Sequence, residues 1–337
     1  MTGSRERRLR AFGVGLVVIT ALLTFLGVPV TSAQGLTLSP TRIDGPLPLD
    51  DPWSPAWDGL RPVEVPLSGQ AVTPPRLLLP NVAAVRVRAL VDDERIALLV
   101  EWSDPTRDER VLDTGAFADA AAVQFALGSG TSVCMGQQAG ALNIWHWKAD
   151  WAADLAARQD IELRFPNAPQ DEHFPPELAA GAGLGPDGFV AGRTAGNPRS
   201  ALTRPSAVED LIAAGFGTLT PEPPERQDVH GASAYRGGTW RVVMSRRLAS
   251  EDPNDADLGS GRVLVMALAV WDGAKGDRDG QKSVSAWLSL VVPERPLGLL
   301  DHWPFLAMIV LVVGLAGGLL WLGSQQPAIG LGGPPSA

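Results

Sequence analysis

Lysine is rare in this chain of 337 residues: Lys148, Lys275 and Lys282 stand against 25 arginines. A lysine amine can act as a ligand or a base only once it gives up its proton. Methionine is as thinly spread, with Met135, Met244 and Met266 the only ones away from the two ends. A thioether is a soft, neutral donor. Cys134 is the only cysteine. It can form no internal disulfide, no CxxCH attachment for covalent haem and no cysteine cluster for zinc or iron–sulfur. The four histidines, His146, His173, His230 and His302, are too scattered to suggest a zinc site. Tryptophan is abundant, 11 residues against one Tyr and nine Phe, and Trp145, Trp147 and Trp151 are bunched. Most of these indoles serve core packing, but flat indoles also suit the face of a sugar ring or the edge of a porphyrin.

Other patterns carry less. Gly183, Gly185 and Gly188 spell GxGxxG, but no strand precedes them and Pro186 interrupts them, so the dinucleotide reading fails. Gly280-Gln281-Lys282-Ser283 resembles the end of a phosphate-binding loop with one residue too many, and the phosphate cradle depends on that spacing. Asp272, Asp277 and Asp279 offer calcium-type oxygens without the spacing of a calcium hand, and read as an exposed polar turn. No nucleophile–base arrangement emerges, so the sequence makes no case for an enzyme.

These residues must be positioned by something, and the intervening pattern is one of short strands and turns. Residues 85–90 and 96–102 flank the turn Asp92-Asp93-Glu94, and residues 121–127 and 142–147 are two further strands. Residues 229–235 and 239–245 join through Gly237-Gly238, which accepts the positive φ of a tight hairpin. Residues 263–271 form a nearly continuous apolar run, as in a strand covered on both faces, and residues 282–292 alternate more cleanly. Residues 166–204 are rich in Pro, Gly and Ala and read as a long surface excursion. Ser206-Ala207-Val208-Glu209 matches a capping box and predicts a short helix to about residue 214. The expected fold is all-β, a sandwich of two antiparallel sheets with a few short helices.

The two ends read differently from the middle. Arg5, Arg7, Arg8 and Arg10 precede an apolar run and Thr31-Ser32-Ala33, which together form a secretory signal spanning residues 1–33. That run exceeds the usual length, which leaves an uncleaved anchor open. From Trp303 onward there is no charged side chain. Residues 303–323 are long enough to cross roughly 30 Å of hydrocarbon, with Trp303 and Trp321 near the two interfaces. The expected organisation is a signal to residue 33, a domain over 34–298 with an insertion at 166–215, a transmembrane helix over 299–323 and a tail over 324–337. A net charge of −9 argues against nucleic acid as a partner. The expected location is the cell membrane, with the domain on the extracytoplasmic, periplasmic side.

Several segments together carry a resemblance. Residues 117–125 (FADAAAVQF), Cys134-Met135-Gly136, residues 143–149 (NIWHWKA), residues 238–243 (GTWRVV), residues 269–273 (AVWDG) and residues 282–285 (KSVS) resemble the haem-binding domain of ethylbenzene dehydrogenase-like γ subunits. The similarity runs from about residue 53 to residue 292. It implies a β-sandwich holding one haem b with Met and Lys as axial ligands. By motif these are Met135 and Lys282, with Lys275 and Lys148 as alternative lysines and His146 as a reserve ligand. Trp145 and Trp147 are then candidates to line the cofactor. The family role it implies is electron transfer to or from a molybdopterin catalytic subunit with an iron–sulfur partner subunit. The membrane helix makes a quinone-linked membrane cytochrome an equally good partner. Two other readings stay open: a carbohydrate-binding module of similar fold that uses its Trp faces, and a structural anchor subunit without haem.

Overall fold

The computed structural model describes residues 35–128, 135–136, 140–157, 163–167, 204–295, 307–308 and 310–315. Fourteen strands form the framework of the described residues: β1 Thr37–Leu38, β2 Thr41–Arg42, β3 Val63–Gly69, β4 Ala84–Val91, β5 Arg95–Ser103, β6 Ala120–Ala126, β7 Leu142–Lys148, β8 Val208–Ala213, β9 Thr220–Pro221, β10 His230–Tyr235, β11 Thr239–Arg247, β12 Val263–Trp271, β13 Ser283–Ser285 and β14 Leu288–Val291. Two short helices, Pro55–Asp58 and Ala149–Ala156, and single 3-10 turns lie among the strands.

The strands form one hydrogen-bonded path in the order β10-β11-β5-β4-β3-β13-β12-β6-β7-β8-β9, with β14 against β12 and the short β1 and β2 pairing in parallel with β14 and β4. Two separate sheets were expected; β3 joins them. Its first half, Val63 to Pro66, pairs with β4, and its second half, Leu67 to Gly69, pairs with β13. The chain therefore turns a corner inside one strand, and the two halves of the sheet face each other. Val87, Val100, Trp102, Trp240 and Val242 from one half pack in a single core with Val123, Phe125, Trp145, Trp147 and Leu268 from the other. Trp147 meets Trp102 and Trp240 edge-on at 6.1 Å and 5.1 Å between ring centroids. Indoles are large enough to reach across the interior from one half to the other.

The expected helix after Ser206 is strand β8. Ser206 Oγ does accept from the Val208 amide at 3.0 Å, as a cap would. However, Val208 to Ala213 pairs residue by residue with Leu142 to Trp147 of β7. Six consecutive ladder pairings outweigh one satisfied amide. Likewise residues 282–292 split into β13 and β14, which pair with the two ends of β12.

Residues 168–203, most of the expected long excursion, lie outside the described residues, as do 1–34, most of 299–323 and all of the tail. Residues 307–308 and 310–315 are helical, and Met308, Val310, Leu311, Val312, Val313 and Leu315 in them are exposed. Among the described residues no helix is long and apolar enough to cross a membrane.

Candidate functional site

Strand alternation gives one half of the sheet a second working face. On β7, Trp145 and Trp147 point into the shared core, while Ile144, His146 and Lys148 point the other way. On β6 the outward set is Ala120, Ala122 and Gln124, and on β12 it includes Ala269 and Trp271. Three alanines side by side leave a flat recess that larger residues would fill. Loops close over it to make a cavity of ≈ 700 Å³. Thr73 and Pro74 come from the β3–β4 connection, Phe216, Gly217 and Leu219 from the β8–β9 connection, and Asp277 to Gly280 from the β12–β13 loop. A cavity of this size and apolar lining suits a large flat ligand held by a few polar groups.

Met135 and Lys282 both line this cavity, and Lys282 Nζ lies 3.9 Å from Met135 Sδ. The two residues are 147 positions apart in the chain. A thioether and an amine this close could together hold one metal ion. Met135 sits at φ 65 and is followed by Gly136 at φ 74. A left-handed conformation costs a methionine on the order of 1–2 kcal/mol. It is held there by the Gly215 amide, which donates to the Met135 carbonyl at 2.8 Å, and by tight packing at Gly136, where a Cβ would meet the Gly140 carbonyl at 2.8 Å. That strain aims the thioether at the cavity.

Lys282 is fixed from the other side. The Gln70 amide donates to its carbonyl at 3.0 Å, and Gln70 Nε2 donates to the Gly280 carbonyl at 2.7 Å. Trp271 presents its ring 4.9 Å from Nζ and donates from Nε1 to the Asp279 carbonyl. Asp277 ties the loop together: it accepts from Asn81 Nδ2, Gln281 Nε2 and the Asp272 amide. Of the turn expected to be exposed, Asp279 is exposed, but Asp272 and Asp277 are buried at 4 % and 2 % exposure. Burial raises the pKa of both carboxyls, and it pushes Asp119, in the cavity wall, up to about 7.

The other sequence candidates separate cleanly. His146 lines the cavity, with its ring 4.8 Å from Trp271. Lys148 also lines it but is ion-paired with Glu209 and stands 4.0 Å over the Trp151 ring. Lys275 is exposed and absent from the lining. Trp145 and Trp147, expected beside the cofactor, are fully buried on the opposite face of β7 and do not line the cavity. The sequence missed Trp271 and the alanine floor. The period-2 pattern could have found both, since Ala120, Ala122, Ala269 and Trp271 all alternate with apolar core residues.

Comparison with known proteins places these features in context. The ethylbenzene dehydrogenase family matches residues 54–283. A protein of Haloferax mediterranei named a respiratory nitrate reductase heme subunit is 26% identical over 321 residues, covering 94% of this chain and 94% of its own length. The chlorate reductase subunit gamma of Ideonella dechloratans is 30% identical over 207 residues, covering 61% of this chain and 62% of its own. The dimethylsulfide dehydrogenase subunit gamma of Rhodovulum sulfidophilum is 32% identical over 200 residues, covering 57% of this chain and 54% of its own.

Proposed function

Because the chain belongs to the ethylbenzene dehydrogenase family, we propose that it is a non-catalytic electron-transfer subunit holding one haem b between Met135 and Lys282. The observation that carries the reading is the pairing of a thioether and an amine 3.9 Å apart across an alanine-floored cavity. The donor set fits the group: both ligands are neutral when bound, and sulfur favours the softer ferrous state. Haem supplies one-electron redox chemistry. With Met135 and Lys282 both holding the group, no position on it would be left open for a substrate.

The chain's own residues then do three things. Met135 and Lys282 set the orientation, each anchored through its backbone. Phe216, Leu219 and Pro74, all exposed, give the rim of the cavity an apolar edge near the surface. Trp271 packs against the Lys282 amine and fixes the loop that carries it. The partners we infer are a molybdopterin catalytic subunit and an iron–sulfur subunit, or a quinone-linked membrane cytochrome; the relatives' names as reductase and dehydrogenase subunits support the former.

We also infer that residues 1–33 direct export and that residues 299–323 hold the domain to the outer, periplasmic face of the cell membrane. The charge-free run from Trp303 and the exposed apolar side chains of residues 310–313 support a lipid setting. The test is the visible spectrum of the purified full chain, followed by acid–acetone extraction. A low-spin haem spectrum whose pigment leaves completely is expected. A colourless protein, or pigment that stays on the chain, overturns the reading.

A further inference from the structure

At the wall of the cavity, where Asp119 also lines it, three loops deliver carboxylates to one buried point. Asp104 follows β5, Asp119 precedes β6 and Asp272 follows β12, and one oxygen from each lies within 4.8 Å of the others. They are 1 %, 0 % and 4 % exposed. Their hydrogen-bond donors are all neutral. Asp104 Oδ1 accepts from the Thr106 amide and hydroxyl, Asp119 Oδ1 from the Gly273 amide, Asp119 Oδ2 from the Asp108 amide and Trp240 Nε1, and Asp272 Oδ1 from the Lys275 amide.

A second observation points to a ligand. Asp104 Oδ2 is buried with no hydrogen-bond partner. Asp108 Oδ2 is in the same state. Asp108 adjoins the cluster, since its amide is bound to Asp119 and its Cβ would lie 2.7 Å from a Cβ on Gly273. A buried carboxylate oxygen without a donor is costly unless something positive meets it.

We propose that Asp104, Asp119 and Asp272 bind a divalent cation, with calcium the best fit. The donors are oxygen only, with no His or Cys, which suits a hard ion of high coordination number rather than zinc or copper. The ion would tie the exit of β5 and the entry of β6 to the exit of β12. It would thereby brace the loop from Asp272 to Lys282. This site does not depend on the haem reading.

Thermal melting of the full chain, stripped with EGTA and then given calcium, tests the proposal. Calcium raises the melting midpoint by several degrees in the unaltered chain. Asp104→Asn and Asp272→Asn lose that response, yet melt no lower than the unaltered chain in EGTA, because each removes a buried unpaired charge. Asp279→Asn, in the same loop but outside the cluster, and Asp255→Asn, in a different acidic cluster, keep the calcium response. Terbium gives a direct binding signal, with Trp240 as the sensitiser beside Asp119; Asp104→Asn should weaken it by at least about tenfold. Absence of a calcium effect in the unaltered chain overturns the proposal. So does an undiminished response in both Asp104→Asn and Asp272→Asn, or loss of the response in Asp255→Asn alone.

Discussion

Replacing Asp210 with Asn should change how stability depends on pH. Asp210 is fully buried on β8, with Asn143 Nδ2 on its Oδ1 at 2.7 Å and no partner for Oδ2. Burial pushes its carboxyl up to about 8, with the nearby Asp255 and Asp228 adding to the rise and Arg246 opposing it. The unfolded chain releases the same proton near pH 4. The folded state thus binds more protons than the unfolded state between pH 4 and 8, and stability falls as pH rises through that window. At about 1.36 kcal/mol per pH unit, the upper bound on the loss is on the order of 5 kcal/mol. Relaxation and water entry reduce it, so we expect about 2–3 kcal/mol. Asn has the same shape and does not titrate. Urea unfolding of the full chain, followed by Trp fluorescence at pH 5 and pH 8.5, gives the comparison. The stability difference between variant and unaltered chain should move in favour of Asp210→Asn as pH rises. The same pH dependence in both proteins would refute the assignment of a buried neutral carboxyl.

Three further substitutions separate the cavity from the core. Met135→Ala should abolish or shift the low-spin spectrum, while Cys134→Ser, one residue away, should leave it nearly intact; visible spectra of the two read this directly. Trp147→Ala should cost about 3–5 kcal/mol in urea unfolding, the loss usual for a large buried aromatic. It should leave the spectrum of the folded protein unchanged, because the indole faces away from the cavity.

The hairpins were legible because Asp92-Asp93-Glu94 and Gly237-Gly238 are strong turn signals between apolar runs. The corner in β3 was not, since nothing in residues 63–69 says that one strand serves two neighbours. Residues 206–214 carry both a cap signal and a strand pattern, and only the β7 ladder decides between them. The run Trp145-His146-Trp147-Lys148 is bulky on both faces, so sequence alone could not tell which parity faced the core. One arginine and three aspartates away from the cavity also resisted prediction: Arg246 and Asp210 are fully buried, with the half-buried Asp255 and the exposed Asp228 beside them, a grouping that only the tertiary fold brings together. The Asp272–Gly280 loop looked exposed because its aspartates meet their partners, Asn81 and Asp119, only through tertiary contacts. Met135 and Lys282 were found by family resemblance and not by spacing, which cannot connect residues 147 positions apart.

The central claim is that Lys282 and Met135 hold one iron between them. The visible spectrum of Lys282→Ala at neutral pH, recorded beside those of Lys275→Ala and Lys148→Ala, tests it most directly. Lys282→Ala should lose the six-coordinate low-spin spectrum and show a high-spin or water-ligated one, and the other two should retain the spectrum of the unaltered chain. A low-spin spectrum in Lys282→Ala, with its loss in Lys148→Ala or Lys275→Ala, would contradict the claim.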